Sequence, residues 1–398
     1  MRISTVTMFE QSVSSLNRQQ ADFMKVGQQI ASGRRVVNPS DDPQAASRAV
    51  RVAQSQALTQ QFTDARVTAR NALSQEESVL NSVGDAIASA RTLVLQAVNG
   101  TLADADRDSV ASELRGIYET VLGQANATDG NGRYLFGGYR DSSPPFVRDP
   151  AGDVQYVGDT RTREQRIDAS RLMPVGDNGD AIFRSVHSSA GYLAEADAGN
   201  TGSLTFAGPD AVNAADPDYG SRLDITFAVA GDVTTYSING GPAQPYTPAQ
   251  PIQHAGLSFT FEGQPADGDS VVMDRAENMN TDLFATFEKV LSVLENPATS
   301  ASDKAALNNT LNSALREMDN SLDNVLTVRA SVGARLNELE VVDAVASNRQ
   351  LNYAEAMSDL VELDYVSAIS EYTLRQVGLQ AAQKAFVDIK GMTLFDRL

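Results

Sequence analysis

Proline divides this chain into three. Eleven of its 14 prolines lie between Pro144 and Pro265; none lies between Gln44 and Ser143, and none from Ala298 to Leu398. A proline removes a backbone donor and clashes with the preceding helical turn, so long helices are open to both flanks and barred from the middle. In the middle, "RLDITFAV" (222–229), "TTYSI" (234–238) and "LSFTFEG" (from Leu257) alternate in the period of a strand, with "AGD", "NGG" and "ADGD" as turn chemistry around them. The spacing predicts a mainly α fold with a β-rich insertion. Helices are expected over about 43–99, 104–127, 280–295 and 303–356, and residues 150–270 are expected to be removable without touching them.

The flanks carry a finer pattern. Val6, Phe9, Val13, Leu16, Phe23 and Ile30 fall on alternating spacings of three and four, with Gln20 and Gly27 filling the remaining places. Leu311, Leu315, Met318, Leu322, Val325, Val332, Leu336, Leu339 and Ala346 hold one register; Tyr365, Ala368, Tyr372, Leu379, Ala382, Phe386 and Ile389 hold another, one residue out of step near Leu360. The slip puts the last seam in a different helical environment. A stripe at helical spacing is usually the core of a bundle. At a chain terminus it needs a partner, because a helix without tertiary packing is marginal in water. The seams Val6, Phe9, Val13, Leu16, Phe23, Ile30 and Tyr372, Leu379, Ala382, Phe386, Ile389 are therefore read as subunit contacts.

Between the first seam and the next helix stands "SGRRVVNPSDDPQAASRA". Gly33 suits the left-handed residue that ends a helix. Val36 and Val37 favour extended backbone, and Asn38 is pushed out of the helical region by Pro39. Asp42 followed by Pro43 is a helix N-cap with proline at the first helical position. Gly33, Pro39, Asp42 and Pro43 thus form a joint between two helices.

The charge excludes some partners. With 51 acidic against 32 basic residues the net charge is −19, and residues 148–277 hold 19 acidic and 8 basic of them. Nucleic acid and anionic membrane are polyanions and are not expected as partners. There is no cysteine, so no disulfide or thiolate chemistry. The start "MRISTVTMFEQSVSSLNRQQADFMK" has neither an apolar core nor a cleavage site of a secretory signal, and no run of about 18 apolar residues reads as a membrane span. His187 and His254 have no neighbours at metal-ligand spacing, "DNGD" (177–180) and "DGD" (267–269) complete no calcium loop, and "FGG" (136–138) lacks the spacing of a phosphate loop. No catalytic, metal or cofactor site is expected, and no cofactor.

The joint also carries a resemblance. "SGRRVVNPSDDPQAASRA" is similar to the signature of the flagellin superfamily, and its "PSDDP" is closer to the superfamily's hook–filament junction branch than to flagellin itself. "MRISTVTMF", "GQANATDGNGRYLFGGYRDSSPPF" (123–146), "YVGD" (156–159) and the end "LQAAQKAFVDIKGMTLFDRL" agree with it, although Arg397 stands where the family more often has an aromatic.

The resemblance implies a structural, non-enzymatic subunit exported by the flagellar secretion apparatus and located in the bacterial flagellum. It implies a homo-oligomeric ring between a hook-side junction protein and flagellin, with an export chaperone as a further partner. Residues 1–42 and 357–398 would be inner terminal coiled-coil segments, paired within each subunit. Residues 43–144 and 278–356 would be a helical rod, and 145–277 an outer β-rich domain. A filament-forming flagellin, or a secreted enzyme or carbohydrate-binding module on a helical stalk, stays open as an alternative.

Overall fold

The computed structural model describes residues 5–98 and 102–391. They divide into two compact units: residues up to Asp64 with those from Val341, and Ala65–Glu340. The first holds helix α1 (Thr5–Ser32), the start of α2 (Pro43–Val98), the end of α6 (Ala301–Val361) and α7 (Tyr365–Gly391).

In the second unit, α2 buries Arg66, Ala69, Leu73, Glu76, Leu80, Val83, Ile87, Ala90, Val94 and Ala97, alternately three and four residues apart. On α6 every seventh residue, Leu311, Met318, Val325, Val332 and Leu339, is buried. These are two stripes at the spacing of a heptad helix pair. Arg91 Nε meets Asp319 at 2.5 Å and Arg329 meets Glu77 at 4.0 Å, so the helices run antiparallel. Alongside, α3 (Asp104–Ala125) and α5 (Leu283–Glu295) pack through Tyr118, whose ring lies 6.2 Å from Phe284 and 5.7 Å from Phe287. Asp282 caps α5, accepting from the Phe284 and Ala285 N–H groups.

Two β layers follow, both antiparallel. Two hairpins, β1 (Phe146–Arg148) with β2 (Val154–Tyr156) and β3 (Glu164–Asp168) with β4 (Arg171–Pro174), lead into the short helix α4 (Gly179–Phe183). They are part of the helical core. Phe146 stacks within 5.4 Å of Phe183 and 5.0 Å of Phe284. The fully buried Arg66 donates to Ile167 O at 2.8 Å. Asn324 donates to Ala181 O and Ile182 O, both at 2.9 Å.

The second layer is a small sandwich. Its strands are β5 (Tyr192–Ala196), β6 (Thr205–Ala211), β7 (Leu223–Ala230), β8 (Val233–Ile238), β9 (Gln244–Pro245), β10 (Ile252–His254), β11 (Leu257–Glu262) and β12 (Ser270–Arg275). They form sheets in the orders β5-β12-β7-β8-β9 and β10-β11-β6. Leu204, Phe206, Ile225, Phe227, Leu257, Phe259, Phe261, Val271 and Met273 fill the space between. The three alternating runs of the sequence are β7, β8 and β11. The sandwich rests on α5 and α6 through polar contacts: Lys289 with Glu195 at 2.5 Å, Ser313 Oγ to Ala194 O at 2.6 Å, and Asn309 Nδ2 to Leu204 O at 2.8 Å.

This moves the removable segment. Cutting at 150–270 would strip the partners of Arg66 and Asn324 and take Phe183 away from the Phe284 ring. Ala276 N donates to Gly191 O at 3.0 Å, so the ends of 192–275 already touch. Replacing residues 192–275 by a short glycine-serine linker should leave a cooperatively folding protein. Removing 150–183 as well should abolish the cooperative thermal transition followed by circular dichroism.

Candidate assembly site: the terminal helix pair and its joint

Within the first unit α1 and α7 lie side by side. Phe23 and Tyr372 have ring centroids 4.6 Å apart, and Phe9 and Phe386 5.3 Å apart. Gly27 lies beneath the Tyr372 ring, where an added Cβ would make an ordinary contact at 3.7 Å. Arg375 pairs with Asp22 at 3.1 Å, so the one charge in the second seam is neutralised across the pair. Val13, Leu16, Ile30, Leu379 and Ala382 are half-buried, as are Phe23, Tyr372 and Phe386, while Phe9 is exposed. The side chains of Val6 and Ile389 lie outside the described residues. The two terminal seams thus face one another within one chain.

The joint holds this pair at one end. Gly33 has φ +68°, the left-handed value that ends α1, and a Cβ there would come 3.0 Å from the Tyr365 hydroxyl. The next residues then bridge to the break between α6 and α7. Arg35 N donates to Val361 O at 2.8 Å, Leu363 N to Gly33 O at 3.1 Å, and Arg35 Nη2 to Leu360 O at 2.7 Å. Arg34 and Glu362 form an antiparallel β-bridge. Asp42 caps α2 by accepting from Ala45 N at 3.0 Å and also pairs with Arg35 at 3.2 Å. Asp41 accepts from Asn38 N at 2.8 Å and pairs with Lys25 at 3.0 Å. Val36 and Ala45 are buried beneath it.

The backbone N–H groups of Ala45 and Asn38, with the Arg35 and Lys25 charges behind them, hold both carboxyls below the usual aspartate range. A depressed folded-state value stabilises above the unfolded pKa and is lost as pH falls through the folded one, so the two carboxylate contacts weaken in acid.

Sequence reasoning reached the joint but not its counterpart. The partner segment 360–364 is signalled only by the register slip at Leu360 and by Asp364, whose carboxylate accepts from Val366 N at 3.0 Å and caps α7. On the side of α7 away from the seam, Val366, Ile369, Leu374, Val377 and Val387 are exposed, each by more than half. The motifs weighed for ion binding have other partners. Asp177 of "DNGD" pairs with Arg335, and Asn178 caps α4; Asp267 and Asp269 of "DGD" accept from the backbone of Val229 and of Thr201, Gly202 and Ala266.

Residues 3–141, which span α1, the joint, α2 and α3, match the model of the bacterial flagellin N-terminal helical region. Flagellar hook-associated protein 3 of Escherichia coli (strain K12) is 37% identical over 396 residues, covering 99% of each chain. The chain belongs to the flagellar hook-associated protein 3 family. The relative of that name in Salmonella typhimurium is 35% identical over 395 residues, again 99% of each chain. Among solved structures, the flagellar junction protein FlgL from Legionella pneumophila is 26% identical with a TM-score of 0.67, covering 79% of this chain and all of that one.

Proposed function

We propose that this protein is a structural subunit of the junction between hook and filament, built as a homo-oligomeric ring and exported through the flagellar secretion apparatus. The similarity of the whole chain to flagellar hook-associated protein 3 carries this reading. Residues 1–42 and 357–398 would form the inner segment, 43–144 and 278–356 the rod, and 145–277 the outward domain. The seam residues Phe9, Leu16, Phe23, Tyr372, Leu379 and Phe386 would act in assembly by fixing the α1–α7 pair as one body, which then presents the outer face of α7 to neighbouring subunits. Hook-side junction protein and flagellin would bind at the two ends of the ring, and an export chaperone would cover the amphipathic C-terminal helix before assembly. The acidic outer domain suits a surface that faces solvent. Deleting the gene should leave hooks without attached filaments and flagellin monomers in the medium; filaments attached at wild-type frequency would refute the proposal.

A further inference from the structure

Glu76 occupies a seam position of α2 where the heptad pattern calls for an apolar side chain, and it is 2% exposed. Its Oε1 accepts from Asp177 N at 3.0 Å, while its Oε2 is buried without a hydrogen-bond partner. Asp177 belongs to the segment between β4 and α4, and its carboxylate is paired with Arg335 of α6. Arg335 also donates to Pro174 O at 3.3 Å. So α2 and α6 clamp residues 174–178 from two sides, with Glu76 buried, Arg335 nearly so and the Asp177 side chain 22% exposed. The other charges nearby are engaged elsewhere: Glu77 with Arg329 at 4.0 Å, and Arg163 and Arg133 with Asp141 at 3.2 and 4.0 Å.

We infer that Glu76 is carried as the neutral acid and that the segment 174–178 is held to the helices by a proton-dependent latch, which loosens when the medium turns alkaline. With Glu76 protonated, the Asp177–Arg335 pair leaves the cluster neutral. Removing that proton places a second carboxylate beside Asp177, whose own charge already takes Arg335, and a buried charge without a partner is strongly unfavourable. Burial first, and then the Asp177 charge, push the Glu76 carboxyl up to about 8. A carboxyl raised on folding contributes stability that is complete below its unfolded pKa and disappears as pH rises through the folded one. The latch is therefore closed in mildly acidic and neutral medium and opens between neutrality and pH 9.

The test is urea unfolding of the full chain from pH 5 to 9.5, wild type against Glu76→Gln, which keeps the acceptor for Asp177 N and cannot ionise. The wild-type folding constant should fall relative to the variant by about tenfold for each pH unit from pH 5 to about 8, and the difference should level off above that. Parallel curves would overturn the inference. Should Glu76→Gln not fold, carboxyl carbon-13 titration of glutamate-labelled wild type decides. One resonance moving near pH 8 supports the latch, and all resonances titrating in the ordinary carboxylate range overturn it.

Discussion

Replacing Tyr372 by aspartate should abolish filament attachment while leaving the melting of residues 65–340 unchanged to within about 1 °C. Tyr372 stacks on Phe23 at 4.6 Å and lies over Gly27. Tyr372 is half-buried, so losing the ring forfeits on the order of 1 kcal/mol of apolar burial, and the aspartate sets a charge against Phe23. Each 1.4 kcal/mol is about tenfold in population, so the paired form should fall by on the order of tenfold. The two compact units of the chain make this test clean, because the substitution touches only the one that contains α1 and α7. Phe386→Asp, beside Phe9, should act in the same direction. Calorimetry of the purified variant and counts of attached filaments by electron microscopy check both halves. A variant with normal attachment would show that the pair is incidental to assembly.

The second large effect belongs to the joint. Pro39→Ala, Asp42→Ala and Pro43→Ala together remove the residue that forces Asn38 out of helical geometry, the cap on Ala45 N and the partner of Arg35. The strongest local stops on extending α2 backward through residues 34–42 are then gone. Arg34 and Arg35 would be drawn away from Glu362 and Val361, and α1 would leave α7. The expected result is a rise in helical circular dichroism together with loss of filament attachment. Gly33→Val tests the same element from the other side, since φ +68° strains a β-branched residue and its side chain would collide with the Tyr365 hydroxyl. If the triple variant supports wild-type attachment, the joint is only a connecting loop.

Much of this was legible because local signals agreed. The proline-free flanks became α2, α3 and α6 and the stretch before Pro297 became α5, within a few residues of the expected bounds, and the alternating runs became three of the sandwich strands. The joint could be read residue by residue because glycine, proline and aspartate act on the backbone nearest them. What stayed hidden depended on distant partners. The seam of α2 is as regular as the others, yet Arg66 and Glu76 interrupt its apolar pattern, and each is explained only by a group about 100 residues away, Ile167 O and Asp177 N. Phe146 and Phe183 sit in turn-rich sequence that looks solvent-facing; their rings are core because Phe284 meets both. The register slip at Leu360 announced a break in the helix, but not that Gly33 to Arg35 would be bonded to it.

Electron cryomicroscopy of assembled hook–filament junctions, at a resolution that separates side chains, is the most direct test. The expected map shows Phe23 and Tyr372 of the same chain in contact, Arg35 beside Leu360 and Val361, and the exposed α7 residues Val366, Leu374 and Val377 covered by a neighbouring subunit. A map in which α1 pairs with a neighbour's terminal helix, or in which residues 33–42 continue as helix, would contradict it.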